Sequence, residues 1–155
     1  MKPETPGTIS RPKPHDRGTR LGVSPEHAGY RVSGRVWVEK NGEVFVSWGR
    51  VVLLERIREH GSISAAARSM GMGYRHAWLL LDQMNRLSPR DLVERCAGGR
   101  DGGGTRLTAT GEALIEGFWK MVAEFGEWLA DRDSRLWKGA KSSRGRGHGK
   151  GVAGG

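Results

Sequence analysis

The chain predicts a mainly α domain with small β-hairpins, ordered as a winged helix-turn-helix with a long C-terminal helix. Three observations carry this. Two short helical stretches meet at Gly71-Met-Gly73. A basic glycine-rich segment, Gly98-Gly-Arg-Asp-Gly-Gly-Gly104, lies between two strand-like pieces further on. A run with apolar residues at helical spacing then closes the ordered part. A helix pair followed by a wing is a way of presenting one helix to the major groove of DNA.

Each element has its own signal. Residues 1–29 are rich in Pro, Gly, Arg and Lys, show no apolar period, and are expected to be disordered. The domain is expected to span 30–134. Tyr30 to Val38 and Glu43 to Val46 alternate β-branched and aromatic residues around Asn41-Gly42, a strong hairpin signal. Val51, Leu54 and Ile57 give helical spacing from about Trp48 to His60, and Gly61 is a good stop. Ser62 or Ser64 caps the next helix, Ala65 to Met70, whose Ala65-Ala-Ala67 permits close packing. The helix after the glycine turn runs from about Tyr74 to Leu87, with Ala77, Leu81 and Met84 inward and Pro89 just past its end. Leu92 to Arg95 and Thr105 to Leu107 read as the arms of a hairpin whose tip is the glycine loop. Thr110 is the expected cap of a long helix to about Asp131. Its stripe includes Leu114, Ile115, Phe118, Met121, Val122, Phe125, Trp128 and Leu129. That stripe suits either core packing or a dimer interface, for which Leu114, Phe118, Met121, Phe125 and Trp128 are the candidates. Residues 135–155 read as a solvated basic tail.

Charge locates the partner. The formal net charge is +9, and residues 138–155 contribute five basic side chains and no acidic ones. From Ser62 to Arg106 there are seven arginines against four acids, whereas from Thr110 to Ser134 two basic residues face six acids. One face therefore attracts phosphate and the last helix does not. No run of 18 apolar residues predicts a membrane span, and the basic N-terminus lacks the apolar core of a secretory signal. The single Cys96 forbids an internal disulfide and fits a reducing cytoplasm. The five histidines have no metal-ligand spacing, and no nucleophile sits in a triad context. An enzyme, a metal site and a cofactor are not expected.

The interface residues follow from position. Tyr74, Arg75 and His76 open the second helix of the pair, where side chains reach base edges. Arg75 is the candidate to fork onto guanine O6 and N7, and Tyr74 and His76 to reach phosphate or a base edge. Ser62 and Ser64 act as caps first, with a phosphate contact compatible with the free amides there. Arg68 faces solvent or phosphate. Arg95, Arg100 and Arg106 surround the wing, and Arg100 at its tip is the candidate to enter a minor groove or clamp phosphate. Trp78 is read as a partly buried packing residue and Cys96 as an inert thiol. Lys138, Lys141, Arg144, Arg146 and Lys150 add affinity without sequence information.

Residues 35–130 resemble the N-terminal DNA-binding domain of the ModE family, the molybdate-responsive repressors. The resemblance rests on Gly61-Ser-Ile-Ser-Ala-Ala-Ala-Arg68, Gly73-Tyr-Arg-x-Ala-Trp78, Met84-Asn85, Leu92-Val-Glu-Arg95, the glycine wing 98–104 and Leu107-Thr-x-x-Gly111. LysR-type regulators share the Ser-Ile-Ser-x-Ala-Ala pattern but lack this wing. The resemblance implies a cytoplasmic, nucleoid-associated homodimer that reads double-stranded DNA near molybdate-uptake or molybdoenzyme genes. It also implies that the molbindin-type sensor module of that family is missing here, so direct molybdate binding is not expected. Two other readings stay open. One is a nonspecific architectural DNA-binding protein. The other is an adaptor that docks a separate molybdate-binding regulator through Phe118, Phe125 and Trp128.

Overall fold

The computed structural model describes residues 21–22, 32–97 and 104–143, with side chains described for 32–97 and 104–138. In chain order the elements are β1 (Leu21–Gly22), β2 (Ser33–Gly34), β3 (Trp37–Lys40), β4 (Glu43–Ser47), α1 (Trp48–His60), α2 (Ile63–Ser69), α3 (Tyr74–Leu87), β5 (Val93–Arg95), β6 (Thr105–Leu107) and α4 (Ala109–Ser143). The strands form three antiparallel pairs, β1 with β2, β3 with β4 and β5 with β6. This is the winged helix-turn-helix order with a long last helix.

The core explains why the helices sit as they do. Val51, Leu53, Leu54 and Ile57 of α1 are fully buried, with Ala66 of α2 and Ala77 and Met84 of α3. The alanines bring α2 and α3 close to α1, since a methyl group is the least bulk a packed helix face can carry. Ile115, Phe118, Val122 and Leu129 of α4 complete the same cluster. Gly61 ends α1 in the left-handed region, at φ 63°, and donates its N–H to the Ile57 carbonyl. Ser62, not Ser64, caps α2, accepting the Ala65 N–H at 3.4 Å.

The first hairpin turns at Asn41 and Gly42, both at positive φ (54° and 79°), as its Asn-Gly pair requires. Its first arm is shorter than the sequence suggests. It starts at Trp37, and a register irregularity falls between Val38 and Glu39. Two other expectations change near the termini. Leu21–Gly22 pairs with Ser33–Gly34 inside the stretch read as structureless; the rest of 1–29 lies outside the described residues.

The last helix also differs. Its cap is Thr108 rather than Thr110: the Thr108 hydroxyl donates to the Asp91 carbonyl at 2.6 Å and accepts the Gly111 N–H at 3.1 Å. It continues to Ser143, past the expected end near Asp131 and across the border set at 134. Asp133, 5% exposed, anchors this extension. Its carboxylate accepts the Val32 N–H at 3.0 Å and the Trp137 indole N–H at 3.2 Å. Residues 144–155 lie outside the described residues.

Candidate nucleic-acid interface

The wing is fastened to the helix pair at its root. The Thr105 N–H donates to the Gly61 carbonyl at 2.8 Å, and the Cys96 N–H to the Gly104 carbonyl at 2.9 Å. Asn85, near the end of α3, accepts the Leu92 N–H at 2.9 Å. The Thr108 N–H donates to the Leu92 carbonyl at 3.0 Å. A Cβ added at Gly111 would stand 2.2 Å from that carbonyl oxygen, so only glycine lets α4 start this close to the wing. The first hairpin is tied to the same, C-terminal end of α3. Arg86 pairs with Glu43 at 2.6 Å, and Lys40 reaches the Leu87 carbonyl at 2.9 Å. Arg50 bonds the Val44 carbonyl and also the Gln83 side chain at 2.8 Å. Helix α3 is thus held firmly by both hairpins.

Its outer face is free. Tyr74, Arg75 and His76 are all exposed in its first turn. At 100° per residue they do not share one direction. Tyr74 turns toward the wing and lines a cleft with Ser62, Ser64, Trp78, Asp82, Asn85, Glu94, Arg95 and Cys96. That cleft therefore brings four of the expected residues together, namely Ser62, Ser64, Tyr74 and Arg95. Arg68, Arg75, His76 and Arg106 do not line it. Arg100 and the tip of the wing lie outside the described residues.

Two of the expected arginines are engaged within the chain. Arg68 donates to the Ser64 hydroxyl at 3.0 Å, one helical turn away. Arg106 pairs with Glu94 directly across the wing strands at 2.6 Å. The hydrogen bond and charge of Glu94 raise the Arg106 pKa above the ordinary arginine value. Both guanidinium groups remain exposed. A phosphate oxygen competes well for such solvated pairs, because an exposed ion pair contributes little.

Three findings were not read from the sequence. Trp78 is 42% exposed and Leu79 44% exposed, so α3 shows solvent more apolar surface than a packing role for Trp78 predicts. The roles of Asn85 and Thr108 as clasps depend on long-range backbone partners. The expected dimer stripe on α4 is largely covered within the chain. Phe118 is 3% exposed and belongs to the core, so it is unavailable to a second subunit. Leu114 and Met121 pack against that core, as does Phe125. A Cβ at Gly34 would fall 2.7 Å from the Phe125 ring, which shows how closely β2 covers it. Of the five, Trp128 is exposed, at 51%, stacked on Phe125 at 5.9 Å with Arg132 at 5.2 Å from its ring.

Among the described residues no three potential ligands gather to hold a metal ion, and no helix is long and apolar enough to cross a membrane. The arrangement is one of donors and an apolar step around a protruding helix. It suits recognition of an anionic duplex.

Comparison with known proteins agrees. The model of the bacterial regulatory helix-turn-helix protein, lysR family, matches residues 48–112. The match runs through both wing strands, further than the likeness of the helix pair alone. The "Molybdenum-pterin-binding protein MopA" of Rhodobacter capsulatus is 43% identical over 81 residues, 52% of this chain and 31% of that protein. The "Molybdenum transport protein ModE" of Azotobacter vinelandii is 41% identical over 87 residues, 56% of this chain and 32% of that protein. The "DNA-binding transcriptional dual regulator ModE" of Escherichia coli K12 is 43% identical over 89 residues, 57% of this chain and 34% of that protein. The chain spans about a third of the length of these relatives.

Proposed function

We propose that this chain, which carries a winged helix-turn-helix DNA-binding domain of the ModE type, is a sequence-specific, dimeric regulator of molybdenum-related genes. The single observation that carries the reading is α3 itself. It is clamped to both hairpins, through Asn85 and through Arg86 and Lys40, while Arg75 at its start is exposed. A rigidly held helix with a free arginine in its first turn is what base readout needs. The names of the relatives support the choice of genes.

The remaining roles follow from this placement. Tyr74, His76, Ser62 and Ser64 contact backbone or base edges near the start of α3. Arg68, Arg95, Arg100 and Arg106 contact phosphate. The basic side chains of the last stretch add affinity without specificity. A homodimer forms through α4, where Trp128 and Leu136 are 51% and 57% exposed, and through the first hairpin, where Trp37 is 53% exposed. It reads a site of two related halves, as its symmetry requires. It acts in the cytoplasm on nucleoid DNA and catalyses no reaction.

Selection of random duplex DNA by the purified protein tests this. The expected result is an enriched sequence with two inverted half-sites. Binding without any enriched sequence would overturn it in favour of an architectural protein.

A further inference from the structure

Helix α3 exposes apolar side chains where a solvated helix would carry polar ones. Tyr74, Trp78 and Leu79 are 54%, 42% and 44% exposed, all within six consecutive residues. Tyr74 and Trp78 stand one turn apart and line the cleft beside the wing, whereas Leu79 lies outside that lining, on the adjoining outer face. The core does not claim Leu79. Ala77, Leu81, Met84 and Leu87 define the buried side of α3, and a position two residues past Ala77 points away from it. Leu79 instead lies four residues after Arg75, so the two side chains stand one above the other on the outer face. Asp82 continues that face, one turn further.

We propose that Leu79 reads a thymine in the major groove by packing on its 5-methyl group, next to the base pair that Arg75 reads. The inference rests on the reading of α3 as the major-groove helix. The thymine methyl is the apolar mark that a base pair shows in that groove, and apolar side chains recognise it by contact. Four residues of helix advance about 6 Å, and base pairs stack at about 3.4 Å, so the thymine falls within two base pairs of the Arg75 contact. A protein partner is the competing occupant of an apolar patch. The surroundings favour DNA: Arg75 shares the face, and the exposed Arg95 of the wing lines the adjoining cleft with Tyr74 and Trp78.

The test removes one methyl group at a time. On the selected site, each thymine is replaced by deoxyuridine, and affinity is measured for the full chain and for Leu79→Ala. Circular dichroism confirms that the variant is folded, and Leu79→Gln serves as a second variant. The expected result is one thymine per half-site whose methyl loss weakens the wild-type protein about fourfold, the effect of about 0.8 kcal/mol for one buried carbon. Leu79→Ala and Leu79→Gln bind thymine and deoxyuridine there equally. A wild-type protein indifferent to every methyl overturns the proposal while leaving base readout by Arg75 intact. Variants that keep the wild-type sensitivity do the same, as does capture of a protein at Leu79 with unaltered DNA binding. Failure to select any site overturns both readings at once.

Discussion

Asn85 holds the Leu92 backbone: its side-chain oxygen accepts that N–H at 2.9 Å. One hydrogen bond thus joins the end of the exposed helix to the residue just before the strand that begins the wing. Because Leu92 is fully buried, water does not replace the partner. Asn85→Ala is expected to cost about 1–3 kcal/mol of stability, the range for orphaning a buried donor, and to weaken DNA binding by freeing the wing. Chemical denaturation checks the first effect and titration of a bound duplex the second. Asn85→Asp, which keeps an acceptor, is expected to recover most of the stability.

Two glycines of α4 make a paired prediction. Alanine at position 111 places a methyl group 2.2 Å from the Leu92 carbonyl oxygen. Backbone must shift, so Gly111→Ala is expected to lower stability by about 1–3 kcal/mol, as overpacking does. Nothing lies within 4 Å of a Cβ at Gly117. Gly117→Ala is expected to raise stability by up to about 1 kcal/mol, the difference in helix propensity. Opposite shifts in melting temperature confirm the contrast.

Glu94 competes with DNA for Arg106, which it holds at 2.6 Å across the wing. Glu94→Gln is expected to tighten binding. Arg106→Ala is expected to weaken it and to flatten the dependence of log affinity on log salt by about 0.9 for each phosphate that Arg106 neutralises. Affinities measured from low to physiological salt check both. An unchanged slope would remove Arg106 from the interface.

The tie between the first hairpin and α3 is acid-sensitive. The hydrogen bond and charge of Arg86 hold the Glu43 carboxyl below the usual carboxylate range. A carboxylate lowered by folding stabilises the protein at neutral pH, and the contribution is lost as pH falls through the lowered value. Glu43→Gln is therefore expected to melt slightly below wild type at pH 7 and together with it at strongly acidic pH. Both groups are exposed, so the gap is small. Thermal melts of both proteins across this range measure it.

Local signals were legible where chemistry is local. Gly61 and Pro89 mark helix ends because backbone geometry and a missing donor act on neighbours alone. Asn41-Gly42 fixes a turn for the same reason. The sequence could not choose Thr108 over Thr110 as a cap, because the choice depends on the Asp91 and Leu92 carbonyls. It could not carry α4 beyond Asp131, because Asp133 finds its partner at Val32, far away in the chain. The apolar stripe of α4 was visible, but a stripe does not say what covers it. Gly34 and the core claim Phe125 and Phe118. The exposure of Trp78 depends on where the wing sits, which spacing along α3 does not reveal, whereas that of Leu79 follows from its place two residues past the buried Ala77.

The most direct test of the central claim is a comparison of affinities at physiological salt. The selected duplex is set against a scrambled duplex of the same length, for the wild-type protein and for Arg75→Ala. The account predicts a wild-type preference of about a thousandfold or more. It predicts that Arg75→Ala loses about 1–3 kcal/mol of that preference at each half-site, with little change on the scrambled duplex. A preference near one, or one that Arg75→Ala leaves untouched, would contradict it.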